Sequence, residues 1–104
     1  MNGNSLLSDT NPLIYLLTGN NKAEEFLDDK QIWISVISEM ELFGKKGLSN
    51  TELNVINNLV NNCFIAELNT QVKQITKNLL QSYSIRLPDA IIAATSLYLN
   101  LPLF

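Results

Sequence analysis

Short apolar runs alternate with longer amphipathic stretches along this chain. Three of the runs predict strands, and a fourth begins near the end: Ser5 to Ser8 (SLLS), Ile32 to Ser35 (IWIS), Cys63 to Ala66 (CFIA) and Leu101 onward (LPLF). Runs of this length, separated by helical patterns, are typical of parallel strands covered on both faces. The pattern therefore predicts an α/β domain with three layers (α/β/α) and a central parallel sheet.

Cap residues and prolines predict where the helices begin. Six starts are indicated: Asn11-Pro12, Asn21 with Glu24 before AEEFL, Ser35, the capping box from Ser49 to Glu52, Asn69, and Pro88 as a first helical position. Gly44 is expected to end the helix that follows Ser35. The predicted order is β-α-α-β-α-α-β-α-α-β, so most links between strands contain a pair of helices.

Two acids far apart in the chain are predicted to reach the same edge of the sheet. Asp9 follows the first strand, and Asp89 begins the last helix, which runs antiparallel to the strand it feeds. Because that helix is apolar nearly all round, we expect it to be buried and Asp89 to be partly desolvated. Each acid alone also has a structural explanation, as a helix cap or as an acid favoured by the helix dipole. Together they would repel each other unless a cation lies between them.

A third candidate ligand lies in the helix after the second strand. Val36, Met40 and Phe43 define the expected core direction of that helix, and Glu39 and Glu41 flank it at similar angles. Periodicity does not choose between the two glutamates. Oxygen ligands without His or Cys suit Mg²⁺ or Mn²⁺ rather than zinc.

The composition removes several classes of function. A chain of 104 residues with 46% hydrophobic residues is expected to form one globular domain, and a net charge of −3 argues against a broad basic surface for nucleic acid. The chain has no His and one Cys, Cys63, which excludes Ser-His-Asp and Cys-His hydrolases and His-ligated zinc. It shows no signal peptide and no apolar run of about 18 residues, so we expect a cytoplasmic protein without a membrane span.

Three stretches together resemble the PIN domain family, in particular the VapC-like toxins of prokaryotic toxin–antitoxin pairs. They are LLSDTNPLIYLL, ISVISEMELFG and LPDAIIAATSLYLNLPL, and the resemblance covers essentially the whole chain. It implies a PIN-like fold and a metal-dependent endoribonuclease that holds Mg²⁺ or Mn²⁺ in a cluster of acids. The partners it implies are an RNA substrate, an antitoxin protein and a second copy of the chain in a homodimer.

The resemblance also implies roles for individual residues. Asp9 matches the first acid of the family, in D-T-N, Glu41 the second, in S-x-x-E-L, and Asp89 the third, in L-P-D-A-I-I-A-A. All three would be catalytic residues and metal ligands. Thr10 and Asn11 match polar positions that help order the first acid and nearby water, and we expect them to contact substrate.

One part of the family pattern is missing. Such domains continue after the last strand with a turn of the type T-x-N-x-x-D-F, which carries a fourth acid and often leads to a fifth strand and a short helix. The expectation is therefore a single PIN-like domain, residues 1–104, incomplete at its C-terminus. The alternative function is a catalytically weakened or inactive PIN domain that binds an antitoxin or forms a dimer.

Two other acid-based families fit less well. A domain resembling response regulators would need an acceptor Asp at the end of the third strand, where this chain has Ala66-Glu67-Leu68. A phosphatase resembling haloacid dehalogenases would need D-x-D after the first strand, and Asp9-Thr10-Asn11 lacks the second acid.

Overall fold

Three parallel strands form the sheet of this domain. The computed structural model describes residues 4–19, 25 and 27–104. The strands are β1 (Ser5–Leu7), β2 (Gln31–Ser35) and β3 (Phe64–Ala66), side by side in that order. Leu6 pairs with Ile32, and Ile34 pairs with Ile65. The predicted parallel sheet is confirmed, with each strand within one residue of its expected bounds.

The predicted fourth strand is present as a short pairing on the other side of β1. The Leu7 N–H donates to the Pro102 carbonyl (2.9 Å), and the Phe104 N–H donates to the Leu7 carbonyl (2.8 Å). Leu7 and Leu103 form a parallel bridge. Pro102 needs no N–H here because it contributes only its carbonyl. β1 is therefore flanked on both sides.

The described residues form five helices. They are α1 (Thr10–Leu17), α2 (Val36–Leu42), α3 (Asn50–Asn61), α4 (Thr70–Ser82) and α5 (Leu87–Leu99). Two helices join β2 to β3, and two more join β3 to the last residues, as predicted. The predicted AEEFL helix, with its start at Asn21 and Glu24, lies outside the described residues apart from Glu25 and Leu27, which are helical. No helix in the described part of the chain is long and apolar enough to cross a membrane.

Three of the predicted helix caps are confirmed. The side chain of Ser35 accepts from the Ile37 N–H (3.1 Å), and that of Asn69 accepts from the Val72 N–H (2.8 Å). Ser49 begins α3 with a complete capping box. These short-range hydrogen bonds satisfy donors that the first turn of a helix leaves unpaired.

Two helix starts were wrong by one or two residues. α1 begins at Thr10 with Asp9 as its cap, so the predicted cap at Asn11 lies inside the first turn. α5 begins at Leu87, so Pro88 is its second residue. A proline anywhere in the first turn costs no intrahelical hydrogen bond, and it therefore does not fix the start to one residue.

Apolar side chains fill both faces of the sheet and confirm the three layers. On one face Leu13 of α1, Ile34 of β2, Leu42 of α2 and Ile56 of α3 form a buried cluster. On the other face a second cluster contains Leu7, Ile92 of α5 and Leu101, with Trp33 packed against it. Successive residues of β2 face opposite layers, which is the period of two expected for a strand.

Two expectations about buried helix faces were wrong. Met40 is 56% exposed, and α2 instead buries Ser38 and Leu42. α5 buries its middle residues but leaves Leu97 and Tyr98 exposed. α5 packs against α4, α2 and β2, and these neighbours leave Leu97 and Tyr98 at the surface. Hydrophobicity alone does not say how many sides of a helix are covered.

The capping box of α3 leads to the first testable prediction. The Ser49 N–H donates to Glu52 Oε1 (3.1 Å), and the Glu52 N–H donates to Ser49 Oγ (3.1 Å). Hydrogen bonds to the Glu52 carboxylate from the backbone N–H and the side chain of Ser49, and to a lesser degree the charge of Lys45, lower the pKa of Glu52 below its ordinary value of 4.5. Ser49→Ala should lower the free energy of unfolding at neutral pH by about 1 kcal/mol, measured by urea denaturation.

The pH dependence of that loss tests the role of Glu52. Because its folded-state pKa is depressed, Glu52 stabilises the fold above its ordinary pKa, and this stabilisation is lost as pH falls through the folded-state pKa. Ser49→Ala keeps the backbone N–H, which is the largest cause of the lowered pKa, and removes the contribution of the side chain. The difference between wild type and Ser49→Ala should therefore shrink in part, without vanishing, between about pH 6 and about pH 3. Glu52→Gln, which keeps an acceptor but does not titrate, is the matched control. A constant difference across that range would contradict the prediction.

Candidate active site

Asp9 lies at the carboxyl end of β1 and is fixed by hydrogen bonds on three sides. Its N–H donates to the carbonyl of Phe104 (2.7 Å), and its own carbonyl accepts from the Ser8 hydroxyl (2.9 Å). Its side-chain Oδ1 accepts from the Thr10 N–H (2.7 Å), which caps α1. The capping role suggested by the sequence is therefore real. It uses one carboxylate oxygen and leaves Oδ2 without a hydrogen bond to any described residue.

Thr10 connects the turn between β1 and α1 to α2, and the side chains of Asp9, Thr10, Ser38 and Glu41 that are linked there are called the acidic corner. Its hydroxyl lies 2.6 Å from Glu41 Oε1 and 3.0 Å from the hydroxyl of Ser38. Thr10 directly follows Asp9, so the contact places the Glu41 carboxylate against the neighbour of the first acid. Glu39 makes no described hydrogen bond to this corner. The helical wheel could not separate the two glutamates because both flank the buried face of α2.

Asp89 occupies the first turn of α5, as expected, but it is exposed rather than desolvated. The buried part of the helix begins one residue later, at Ala90, so the acid lies just beyond the packed segment. α5 contacts α2, the helix that carries Glu41. Within residues 4–19, 25 and 27–104, no three acidic, Cys or His side chains lie close enough together to hold a metal ion.

The two carboxylates that Thr10 links are oxygen donors of the kind that small divalent cations prefer. Mg²⁺ binds hard oxygen ligands, keeps several of its waters, and takes one or two protein carboxylates. Asp9 and Glu41 each use one oxygen in a hydrogen bond and have a second oxygen without one among the described residues. Asn11 is exposed on the first turn of α1 beside them. The donor chemistry at this corner therefore suits Mg²⁺ or Mn²⁺.

An open groove of about 360 Å³ begins at Glu41 and runs between α1 and α3. Its lining is mostly apolar, with charged side chains at its border: Ile14, Leu17, Thr18, Glu41, Leu42, Lys45, Leu48, Thr51, Glu52, Val55 and Ile56. Sequence analysis did not find this groove. Ile14 and Val55 are both exposed within it, although each lies on an otherwise ordinary amphipathic helix.

Cys63 is a packing residue rather than a nucleophile. Its thiol is partly buried against the cluster that contains Leu13 and Ile34, and Sγ donates to the Leu59 carbonyl (3.3 Å). Burial raises the pKa of the thiol to about 11. The thiol is therefore protonated at neutral pH, as expected for a cysteine without an activating partner.

Ser38 is the member of this corner that sequence analysis missed. It is completely buried and contacts Thr10. A signal was available, because Ser38 and Glu41 are three residues apart and therefore share one face of α2. The sequence did not show that Thr10 would lie against that face.

Comparison with known proteins identifies the family. The model of the PIN domain family matches residues 6–104. The chain belongs to the PIN domain family. No curated protein matches this PIN domain.

The solved structures that resemble this chain include toxin–antitoxin complexes. A toxin–antitoxin complex from Klebsiella pneumoniae has 32% sequence identity and a TM-score of 0.83, with 94% of this chain and 82% of that chain covered. VapBC-1 from nontypeable Haemophilus influenzae has 25% identity and a TM-score of 0.71, with 95% and 84% covered. VapBC2 from Rickettsia felis, bound to a DNA fragment from its promoter, has 17% identity, a TM-score of 0.71 and coverage of 95% and 85%. The last of these supports the fold alone. The PIN-like fold and the similarity to VapC are confirmed.

The capping role of Asp9 can be tested through stability. Asp9→Ala should lower the free energy of unfolding by about 1 kcal/mol, because α1 loses its cap. Asp9→Asn should stay within about 0.5 kcal/mol of wild type, because the amide oxygen can still accept from the Thr10 N–H. Urea denaturation measures both variants.

Asn11→Ala is the control for the position of the cap. It should have little effect, since Asn11 is exposed inside the helix rather than before it. If Asn11→Ala lost as much stability as Asp9→Ala, the helix would begin where the sequence predicted, and Asp9 would not be its cap.

Proposed function

We propose that this PIN domain is a toxin nuclease that cleaves RNA phosphodiesters with Mg²⁺ or Mn²⁺ held by Asp9, Glu41 and Asp89. The observation that carries the proposal is the Thr10–Glu41 hydrogen bond. It holds a carboxylate of α2 against Thr10, the residue that follows the acid at the carboxyl end of β1, and this is the edge where open parallel sheets bind ligands. Membership in the PIN family and the similarity to toxin–antitoxin complexes support the same function.

The chain's own residues would share the work as follows. Asp9 and Glu41 each present a carboxylate oxygen, and Thr10 holds Glu41 in place through its hydroxyl. Asp89, exposed at the head of α5, would be a third ligand, and the exposed Asn11 would be a candidate substrate contact. Thr10 is buried, with its hydroxyl bonded to Glu41, so its part would be to hold that carboxylate rather than to touch substrate. A divalent cation bound there supplies charge neutralisation at the phosphate and a lower pKa for an attacking water. Attack by water at phosphorus, with departure of the 3′-oxygen, leaves a 5′-phosphate and a 3′-hydroxyl and requires no covalent intermediate.

Cleavage of an end-labelled single-stranded RNA tests the activity. We expect cutting with Mn²⁺ or Mg²⁺ and none with chelator, and a loss of at least about 100-fold in rate for Asp9→Asn, Glu41→Gln and Asp89→Asn, because each removes charge that holds the cation. Glu39→Gln is the matched control, since it changes the neighbouring glutamate on the same helix. It should cut at the wild-type rate.

Two outcomes would contradict the activity. Cutting that persists in chelator would exclude the metal-dependent mechanism. A folded chain that cuts no RNA with either metal would favour the second function, a PIN domain that binds a partner without cleaving RNA. The apolar groove beside Glu41 supports that second function, because it offers a binding surface that does not depend on catalysis.

The partner we propose for this groove is an antitoxin protein. The groove is apolar along α1 and α3, and its charged lining residues are two acids, Glu41 and Glu52, and one base, Lys45. Because the acids are in excess, the groove suits an apolar segment that carries a basic residue. Occupation of the groove would also cover the acidic corner. In this proposal the protein cleaves RNA in the cytoplasm, and the antitoxin inhibits that cleavage by binding the groove.

A charge placed in the groove tests that interaction. Val55→Glu should weaken binding of the cognate antitoxin by roughly tenfold or more, measured by calorimetry, because a carboxylate there would be buried without a partner. Asn57→Glu adds the same charge to an exposed position elsewhere on α3 and should leave the affinity unchanged. Equal affinities for the two variants would exclude the groove as the antitoxin site.

A homodimer is also part of the proposal. Leu97, Tyr98 and Leu103 are exposed and apolar, and side chains of this kind commonly mark contact surfaces when they lie together. Sedimentation velocity should show a dimer at micromolar concentration. A monomer throughout that range would contradict this assembly.

A further inference from the structure

Two hydroxyl groups lie in the interior directly behind the Glu41 carboxylate. Ser38 is 0% exposed and Thr10 is 8% exposed. The Thr10 oxygen lies 3.0 Å from the Ser38 oxygen and 2.6 Å from Glu41 Oε1. The three groups form a row that leads from the interior to the exposed carboxylate.

The number of hydroxyl protons in this row determines which oxygen donates in each hydrogen bond. An ionised carboxylate can only accept, and the short distance between Thr10 and Glu41 requires a proton between the two oxygens. Thr10 has one hydroxyl proton, so that proton is committed to Glu41. Ser38 must then donate to Thr10, because two oxygens at 3.0 Å without a proton between them would repel each other.

We propose that Ser38 is a positioning residue that orients Glu41 through Thr10, a role that rests on the proposed function of Glu41 as a metal ligand. Because the Ser38 hydroxyl donates to Thr10, it cannot also accept the Thr10 proton. Glu41 is then the one acceptor left for that proton in this row. Glu41 Oε1 is thereby fixed, and Oε2 stays available for a cation. Ser38 itself does not touch the cation or the substrate.

This hydrogen bonding would preorganise the Glu41 side chain for binding a cation. Glu41 is exposed on α2, and a free glutamate side chain has several rotatable bonds whose freedom is lost on binding a ligand. A hydrogen bond from a buried and ordered donor removes part of that freedom in advance. Partners one step behind a metal ligand typically change metal affinity by roughly 10- to 100-fold when removed.

The other buried threonines use their hydroxyls differently. Thr76 donates to the Val72 carbonyl (2.8 Å), and Thr95 donates to the Ile91 carbonyl (2.7 Å), each four residues back in its own helix. Ser38 instead pairs with a residue of a different helix, 28 positions away in the chain. Its hydroxyl therefore connects two elements at the candidate site rather than satisfying a local backbone group.

Mn²⁺ binding by the whole chain, measured by calorimetry without RNA, tests this role. Ser38→Ala should weaken Mn²⁺ affinity roughly tenfold. Thr10→Val should weaken it at least as much. The double variant should bind no more weakly than Thr10→Val alone, since Ser38 acts only through Thr10. Thr76→Val, which removes a buried hydroxyl far from the site in sequence, is the control and should bind as wild type does.

A second readout needs no metal. NMR couplings of the Glu41 side chain should report one dominant rotamer in wild type and in Thr76→Val, and averaged rotamers in Ser38→Ala. If Ser38→Ala does not fold, Ser38→Cys keeps nearly the same volume with a weaker donor and should shift both readouts in the same direction.

The outcomes separate this role from the proposed function. If wild type binds no Mn²⁺, the proposed cation site fails, and the rotamer measurement still decides whether Ser38 orients Glu41. Unchanged Mn²⁺ affinity in Ser38→Ala would overturn the positioning role. So would full additivity with Thr10→Val, or an ordered Glu41 side chain in Ser38→Ala.

Discussion

The carboxyl end of β1 is hydrogen-bonded from both sides, and the candidate site depends on that constraint. The Ser8 N–H donates to the Trp33 carbonyl of β2, and one residue later the Asp9 N–H donates to the Phe104 carbonyl. Successive backbone groups of a strand point in opposite directions, so a central strand can be held by both neighbours at adjacent residues. The chain then turns into α1 at Asp9, with little freedom to move the acid.

One of the two apolar clusters explains why α2 meets α1 at this edge. Leu13 of α1, Leu42 of α2 and Ile34 of β2 belong to one buried cluster, which fixes the helices against each other and against the sheet. Ser38 lies one turn before Leu42 on the same buried face of α2. The packing that forms the core therefore also brings Ser38 and Glu41 to Thr10, and the apolar groove lies where α1 and α3 separate.

Polar groups inside a core lower stability unless they are hydrogen-bonded. At this corner the hydroxyls of Ser8, Thr10 and Ser38 all have partners among the described residues. The hydroxyls of Ser38 and Thr10 link the buried interior to the exposed carboxylate of Glu41 by hydrogen bonds. They differ from the buried indole of Trp33, whose Nε1 has no partner among the described residues. Trp33 is instead held by stacking on Phe64, with ring centroids 5.0 Å apart.

Local patterns in the sequence were enough to predict most of the strands and helices and the position of Asp9 at the carboxyl end of β1. Local periodicity predicts the short strands and the order of the helices. Short-range hydrogen bonds explain the caps at Ser35, Ser49 and Asn69, because each cap bonds to a residue only two or three positions further along the chain. Parallel topology sends Asp9 and Asp89 toward the same edge for a similarly simple reason. The start of α1 was missed because Asp9, Thr10 and Asn11 are all competent caps, and the choice depends on how β1 ends.

Periodicity left Glu39 and Glu41 open and the family resemblance pointed to Glu41, but only the tertiary contacts show that Glu41 lies against Thr10, the neighbour of Asp9. Glu39 and Glu41 are equivalent on a helical wheel, and only the packing of α2 against α1 places Glu41 on Thr10. The exposure of Met40, Leu97 and Asp89, against expectation, has the same origin. Periodicity gives the faces of a helix, whereas the number of neighbours that cover those faces depends on contacts between residues distant in the chain.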